Sequence, residues 1–281
     1  MPNTTPADGY NPDFLAIAVP LPRTARAVME LDYTHFTVLL DTGRRLAAAT
    51  AVNIDGTSLV DVPRGDDWHL DSRVAENEQA GPELYRRNDL DRGHLVRRRD
   101  PVWGAPVEAA RANRDTFAYT NAAPQAAQFN QSKELWLGLE DYLLGYADAT
   151  EQRLDVFTGS VLADDDPVYR GIGIPRAFWK VAAWTTPGDA PTLASTAYLL
   201  DQSPQLDEID LTEARLRARS TDAPPPLGPF RTFQVPVRDL EEATGLDFGG
   251  LVAADRLERV QGIRPRAEGW VPLETFGDIR V

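Results

Sequence analysis

Cysteine is absent from this chain of 281 residues. Disulfides, thiolate nucleophiles and Cys-ligated zinc are excluded with it. Histidine is scarce: His35, His69 and His94 are the only three. No H-E-x-x-H run is present, so paired histidine ligands for zinc are missing. No window approaches the ~18 apolar residues that a membrane span needs. The opening stretch MPNTTPADGYNPDFLAIAVPLP has neither a basic n-region nor a continuous apolar h-region, and so does not read as a signal peptide. Together with the missing cysteines this makes the cytoplasm the expected compartment. Secretion by another route, or of a processed chain, is left open. A G-x-S-x-G elbow is absent, as are G-x-x-x-x-G-K-[ST] and G-x-G-x-x-G, so a serine-hydrolase nucleophile and the common nucleotide cradles lose their support.

Positive charge is also short. The formal net charge is −14, which on its own argues against a nucleic-acid binder, since such proteins usually carry a basic surface. The distribution tells otherwise. NDLDRGHLVRRRDPVWG (88–104) gathers Arg92, Arg97, Arg98 and Arg99 around His94, with Arg86 and Arg87 just upstream. Part of the compensating acid lies in DEIDLTEAR (207–215) and RDLEEATGLDF (238–248). A run of arginines alone is more often a solvated face than a site.

With 42% hydrophobic and 26% charged residues, the composition is that of an ordinary globular chain. The length fits one large domain, 1–281, and there is no internal repeat. Runs rich in β-branched and aromatic residues predict strands at YTHFTVLL (33–40), AAATAVNI (47–54), RLDVFTGSVL (153–162), AFWKVAAW (177–184), LASTAYLL (193–200) and FRTFQVPV (230–237). VNIDG followed by TSLVDV predicts a hairpin with an Asp-Gly turn. Leu135, Leu139, Tyr142, Leu143 and Tyr146 share one face of a predicted helix over 132–147, with Ser132 as its N-cap. RDLEEAT (238–244), ended by Gly245, predicts a second helix, TEARLRARS (212–220) a third, and TDAPPPLGP (221–229) a surface loop. Strands flank the main helix without βαβ alternation, so the expected class is α+β with a largely antiparallel sheet.

Among the histidines, His35 lies in a strand pattern and His69 alternates with Trp68 and Leu70, so both read as structural. Only His94 stands among charged and glycine neighbours. Downstream, TNAAPQAAQFNQSKELW (120–136) brings Asn121 and Asn130 close to the start of the amphipathic helix. An Asn carbonyl suits Mg²⁺, which keeps most of its waters and takes few protein ligands. A histidine can take a proton from water, a metal can stabilise a leaving oxygen, and an arginine can grip non-bridging phosphate oxygens. Those parts suffice for phosphodiester hydrolysis without a covalent intermediate.

In order and spacing, DRGH (91–94), TNAAPQAAQFNQ (120–131) and LWLGLE (135–140) resemble the DNA/RNA non-specific endonucleases, the ββα-metal (His-Me finger) nucleases. VNIDG, WHLDSRV (68–74), LVRRRDPVWG, VFTGSV (156–161) and AFWKV (177–181) are similar to the bacterial branch. The resemblance covers about 30–255, leaving 1–29 as an N-terminal extension and 256–281 as a tail. It implies a ββα-metal fold with a central, largely antiparallel sheet, flanking helices and long loops. The implied activity is Mg²⁺-dependent, sugar-non-specific cleavage of DNA and RNA, with Mn²⁺ as a substitute metal.

The resemblance gives His94 the role of general base and Asn130 that of sole direct protein ligand of the metal. Arg92 would bind the scissile phosphate, Asn121 would support the geometry, and Asp91 would position indirectly. By motif, the glutamate that holds a metal-bound water is Glu140. The family separates the metal Asn from the Trp by four residues, whereas Asn130 and Trp136 stand six apart, a rotation of ~200° in a continuous helix. Either the insertion loops out before the helix, or Glu134 replaces Glu140; the unbroken Leu135–Leu139–Leu143 stripe favours the first. Some members carry a catalytic Arg two residues before the position of Trp68, where this chain has Asp66; Arg64 is the nearby candidate. Arg87, Arg97 and Arg98 join Arg64 as expected substrate contacts. The expected partners are DNA and RNA and an inhibitor or regulatory protein, with no membrane and with a homo-oligomer left open. The rival class is a nuclease-like fold that binds nucleic acid or a protein without cutting, which would not need His94, Asn130 and Arg92 together.

Overall fold

The computed structural model describes residues 8–126, 147, 151–186, 188, 190–203, 206, 231–261, 268–273, 275 and 278–280. The strands of the main sheet and of the site ribbon, in chain order, are β1 (Met29–Tyr33), β2 (Phe36–Asp41), β3 (Leu46–Asp55), β4 (Leu90–His94), β5 (Ala122–Ala126), β6 (Arg153–Ser160), β7 (Ala177–Thr185), β8 (Leu193–Asp201), β9 (Arg231–Val235) and β10 (Val271–Pro272). Eight of them form one sheet in the order β10-β9-β8-β7-β6-β3-β2-β1. Every pairing in it is antiparallel. Strands β4 and β5 stand apart and pair with each other as a ribbon.

Both faces of the sheet are buried, which is why its central strands read as continuous apolar runs. Side chains alternate between the faces with the period of the pleat. Phe36, Val38 and Leu40 of β2, with Phe178 and Ala182 of β7, enter one core, together with Leu95, Val96, Ala118 and Ala123 from around the ribbon. Leu39, Trp179, Val181 and Ala183 enter the other. The ribbon therefore belongs to the first face. The second face is covered by Tyr10, Phe14, Leu15 and Val19 and by Leu240, Leu246 and Leu251. Residues upstream of position 30 thus bury side chains in the core, and Val271–Pro272 adds an edge strand to the sheet.

Two helices matter for the site and its support. Helix α1 (Pro106–Asp115) starts on a proline at its first turn, where the missing N–H costs nothing. It escaped the sequence pattern because its buried positions are only Ala109, Ala112 and Asn113, too small to make an apolar stripe. Helix α2 (Val237–Thr244) ends as expected at Gly245, whose φ of 70° is left-handed.

Two local expectations are corrected. YTHFTVLL is not one strand: Thr34 and His35 turn the chain between β1 and β2, with His35 at φ 67°. The stacked Trp103 ring at 3.5 Å and a 2.7 Å contact from Nδ1 to the Pro101 carbonyl hold that turn. VNIDG also makes no hairpin with TSLVDV. The chain does turn after Asp55, but β3 pairs with β2 and β6, and Leu59 makes only an isolated bridge to Trp103. The predicted helix over 132–147, apart from Ala147, and the predicted helix 212–220 and loop 221–229 lie outside the described residues, as do Asn130, Glu134 and Glu140. Among the described residues, no helix is long and apolar enough to cross a membrane.

Candidate active site

The DRGH residues form the end of β4, paired in register with β5: Asp91 opposite Gln125, Arg92 opposite Pro124, Gly93 opposite Ala123 and His94 opposite Ala122. The pleat sends Arg92 and His94 to one side of the ribbon and Asp91 and Gly93 to the other. Gly93 is required by contact: a Cβ there would lie 2.1 Å from Cδ of Gln125, whose buried side chain crosses it. Asp91 therefore stands behind the side that bears His94, in keeping with an indirect role.

Beyond His94 the chain dives into the core through Leu95 and Val96, and Asn121 holds it there. The Asn121 carbonyl accepts Leu95 N–H at 3.0 Å. Its side-chain Oδ1 accepts Val96 N–H at 2.8 Å, and Nδ2 donates to the Val96 carbonyl at 2.9 Å and the Thr116 carbonyl at 3.0 Å. The side chain is fully buried. Asn121 is thus a backbone clamp for the segment that follows His94.

The His94 imidazole is packed by aromatic rings. Trp68 lies 4.7 Å from it, and Phe117 meets it edge-on at 5.1 Å. Tyr119 backs Trp68 at 5.6 Å, and Tyr85 stacks on Tyr119 at 6.0 Å. Nε2 of His94 is closed to solvent and has no hydrogen-bond partner among the described residues. Burial, then the charges of Arg64, Arg98 and Arg92, push the imidazole pKa down to about 3. The ring is therefore neutral at neutral pH, the form that can accept a proton.

The arginines divide into two kinds. Arg92 lays its guanidinium over Trp68 at 5.1 Å and approaches Asp66 at 3.9 Å, with 37% of its side chain exposed. Arg64 is exposed and adds to the positive field at His94. Arg98 is tied inward, donating to the Val62 carbonyl at 2.8 Å and to Asn113 Oδ1 of α1 at 3.0 Å. Burial and the charges of Arg64, Arg99 and Arg97 lower its pKa, with Asp61 opposing them. Arg97 is half-buried, whereas Arg86, Arg87 and Arg99 are exposed. Arg87 takes a left-handed φ of 53° in the turn before β4. The structure thus brings Arg64, Arg92 and Arg98 to His94.

His69 pairs through its backbone: its N–H meets the Phe117 carbonyl at 3.1 Å and its carbonyl the Tyr119 N–H at 2.9 Å. That pairing sets Trp68 beside His94. Trp68, Phe117 and Tyr119 did not stand out as site residues in the sequence. The alternating aromatics of TFAYTN, immediately before the Asn121 clamp, were the available signal.

Comparisons with known proteins point in one direction. The family model for DNA/RNA non-specific endonucleases matches residues 16–255. The uncharacterized protein y4fB of Sinorhizobium fredii is 39% identical over 272 residues, covering 88% of this chain and 40% of that protein. Mitochondrial endonuclease G of Bos taurus is 29% identical over 194 residues, covering 65% of this chain and 55% of that one. A nuclease of Nostoc sp. is 25% identical over 168 residues, 59% of this chain and 53% of that one. The chain thus spans about two fifths to just over half the length of these relatives. A chain of the crystal structure of the EndoG/EndoGI complex superposes with a TM-score of 0.56 at 19% identity, covering 79% of this chain and 86% of that one, a likeness of fold.

Proposed function

Because this chain belongs to the DNA/RNA non-specific endonuclease family, we propose that it hydrolyses internal phosphodiester bonds of DNA and RNA, with His94 as general base and a single Mg²⁺ as cofactor. One observation carries this proposal: a neutral imidazole packed between aromatic rings, inside the field of three arginines.

The donors for such a metal come from the family resemblance. Among the described residues no group of three or more His, Cys, Asp or Glu could hold an ion, and the Asn121 side chain is occupied by backbone groups. A cation that keeps most of its waters needs only one or two protein oxygens. Asn130 would hold it, with Glu140, or Glu134 in its place, on a bound water. When present, the ion supplies charge stabilisation for the phosphate and the leaving oxygen.

The remaining steps belong to the chain. His94 takes the proton of the attacking water. Arg92 grips a non-bridging oxygen, and that contact strengthens as charge develops. Arg64 takes part in place of an arginine at the Asp66 position, and Arg98, Arg97 and Arg87 extend the phosphate contact along the strand. The bound phosphodiester also acts on the base. Its negative charge offsets the field of Arg64, Arg98 and Arg92, so the His94 pKa rises when substrate arrives. The imidazole is then a stronger base in the complex than in the free protein. An inhibitor that presents carboxylates to the same arginines would compete with substrate; the structural neighbour was crystallised with EndoGI in a study of EndoG inhibition.

Plasmid and RNA digestion with Mg²⁺, with EDTA, and with His94→Ala tests the proposal. The mutant is expected to fold, to bind DNA, and to lose ~10²–10⁴ in rate. Cleavage at the wild-type rate by His94→Ala, or full activity in EDTA, would overturn it.

A further inference from the structure

We infer that Tyr33 is a positioning residue for His94: its hydroxyl ties the turn Tyr119–Asn121 to Asp71, and that turn carries Tyr119, which backs the Trp68 ring packed on the imidazole, and Asn121, which clamps the residues that follow it. The inference rests on His94 being the base.

Proton bookkeeping makes the link directional. Tyr33 O–H lies 2.5 Å from Asp71 Oδ2, and Arg73 donates to the same carboxylate through Nε at 3.0 Å and NH2 at 2.6 Å. Burial pushes the Asp71 carboxyl up, but hydrogen bonds from Arg73 and Tyr33 and the Arg73 charge more than offset it, leaving it below the usual carboxylate range. Asp71 is therefore charged and can only accept. The one proton of Tyr33 is committed to it. The Thr120 hydroxyl, 2.6 Å from the Tyr33 oxygen, must then be the donor. A single arrangement of both hydroxyls satisfies the set.

Tyr33 itself is fixed. It ends β1 at 6% exposure, stacks on Phe36 at 4.8 Å and 12°, and is covered on its ring face by Arg73 at 4.7 Å. Thr120 sits between two residues that support His94 indirectly. Tyr119 backs Trp68, which packs on the imidazole. Asn121 clamps Leu95 and Val96, immediately after it. The order held by the sheet thus passes through one buried hydroxyl to both supports of the base, and Arg92, over Trp68 at 5.1 Å, meets this chain of contacts at its far end.

The test compares Tyr33→Phe, Thr120→Val, Thr120→Ser and His94→Ala in the full chain with Mg²⁺, reading kcat, KM, thermal stability and the pH titration of the His94 imidazole by NMR. Loss of the hydroxyl link is expected to lower kcat about tenfold or more. KM should stay within about twofold, since uniform binding is untouched. The depressed imidazole pKa should move back toward its ordinary value as water gains access. Thr120→Ser should retain activity, and the Tyr33→Phe/Thr120→Val double mutant should lose no more than either single one. Unchanged kcat and imidazole titration in both Tyr33→Phe and Thr120→Val, with only a stability loss, would make the network ordinary core. Losses that add in the double mutant would also overturn the link. An active His94→Ala would instead remove the base assignment on which the link rests, so the two failures are distinguishable.

Discussion

Two buried tyrosine–aspartate pairs lie on opposite faces of the same sheet, in opposite charge states. On the face of the ribbon, Tyr33 meets Asp71, whose carboxyl is held below the usual range. On the other face, Tyr10 meets Asp155 at 2.9 Å, and there burial lifts the carboxyl to about 7, with hydrogen bonds from Asn53 and Tyr10 opposing the rise only in part. Both carboxyls accept a tyrosine hydroxyl and both are largely out of water. The difference is Arg73, which grips Asp71 while keeping 46% of its own side chain exposed. Among the described residues, Asp155 has only the neutral partners Tyr10 and Asn53. A hydrogen bond from a phenol does not keep a buried carboxylate charged; a cation that itself reaches solvent does. The face that bears the candidate site thus has a fixed charge, and the far face has a proton that comes and goes near neutral pH.

The largest expected effect follows from replacing each acid by its amide. Asp71→Asn removes the charge that Arg73 and Tyr33 both address, and should cost about 2 kcal/mol in urea unfolding at pH 7, with activity falling as well. Asp155→Asn should be nearly neutral near pH 4 and should become stabilising as pH rises toward 7, because the amide has no proton to hold. Asn53 Nδ2 reaches Asp155 Oδ1 at 2.7 Å, and Tyr10 O–H can turn to the Val19 carbonyl at 2.8 Å, so an amide satisfies the same partners as a protonated acid. Equal losses in the two mutants would break the comparison.

An effect smaller per pH unit, of opposite sign on the two faces, should appear in the pH dependence of stability. A carboxyl raised in the folded state keeps its proton while the unfolded chain releases it. Asp155 therefore makes stability fall as pH rises from about 4 to about 7, by at most ~1.4 kcal/mol per pH unit. Asp71, lowered in the folded state, contributes stability above the unfolded carboxylate pKa and loses it as pH falls through its own. His94, lowered to about 3, makes stability fall as pH drops from about 6.5 toward 3, because only the unfolded chain takes the proton. Urea midpoints from pH 4 to 8 for wild type and Asp155→Asn isolate the first slope. It should vanish in the mutant; an identical profile would place the Asp155 proton elsewhere.

Most of the sheet was legible in the sequence because its strands are uniform runs of β-branched and aromatic residues buried on both faces. The Thr34–His35 turn was not, since a left-handed histidine is fixed by Trp103 and Pro101, far along the chain, and no glycine or asparagine marks it. In the site, alternation along DRGH already separates Arg92 and His94 from Asp91. The aromatic packing of His94, the inward tie of Arg98 and both tyrosine–aspartate pairs are contacts between distant positions: 38 residues separate Tyr33 from Asp71, and 145 separate Tyr10 from Asp155. Residue type offers no cue to them, because neither tyrosine belongs to a motif.

The smallest expected effect is also the sharpest test of the division between faces. Tyr10→Phe removes a hydroxyl whose partners are the Val19 carbonyl and Asp155, and should cost about 1 kcal/mol. Its ring contact with Phe157 at 5.5 Å survives, so the segment carrying Tyr10 stays packed. Asp155 loses a hydrogen bond that favours its charged form, and its pKa should rise further. None of this reaches His94, because Tyr10 and Phe157 lie in the core on the far side of the sheet. Cleavage rate, KM and the His94 titration in Tyr10→Phe should therefore match wild type, whereas Tyr33→Phe, the same chemical deletion on the other face, changes kcat. A loss of kcat in Tyr10→Phe comparable to that in Tyr33→Phe would mean that the hydroxyls act through general stability of the sheet, and that the two faces are not separate in function.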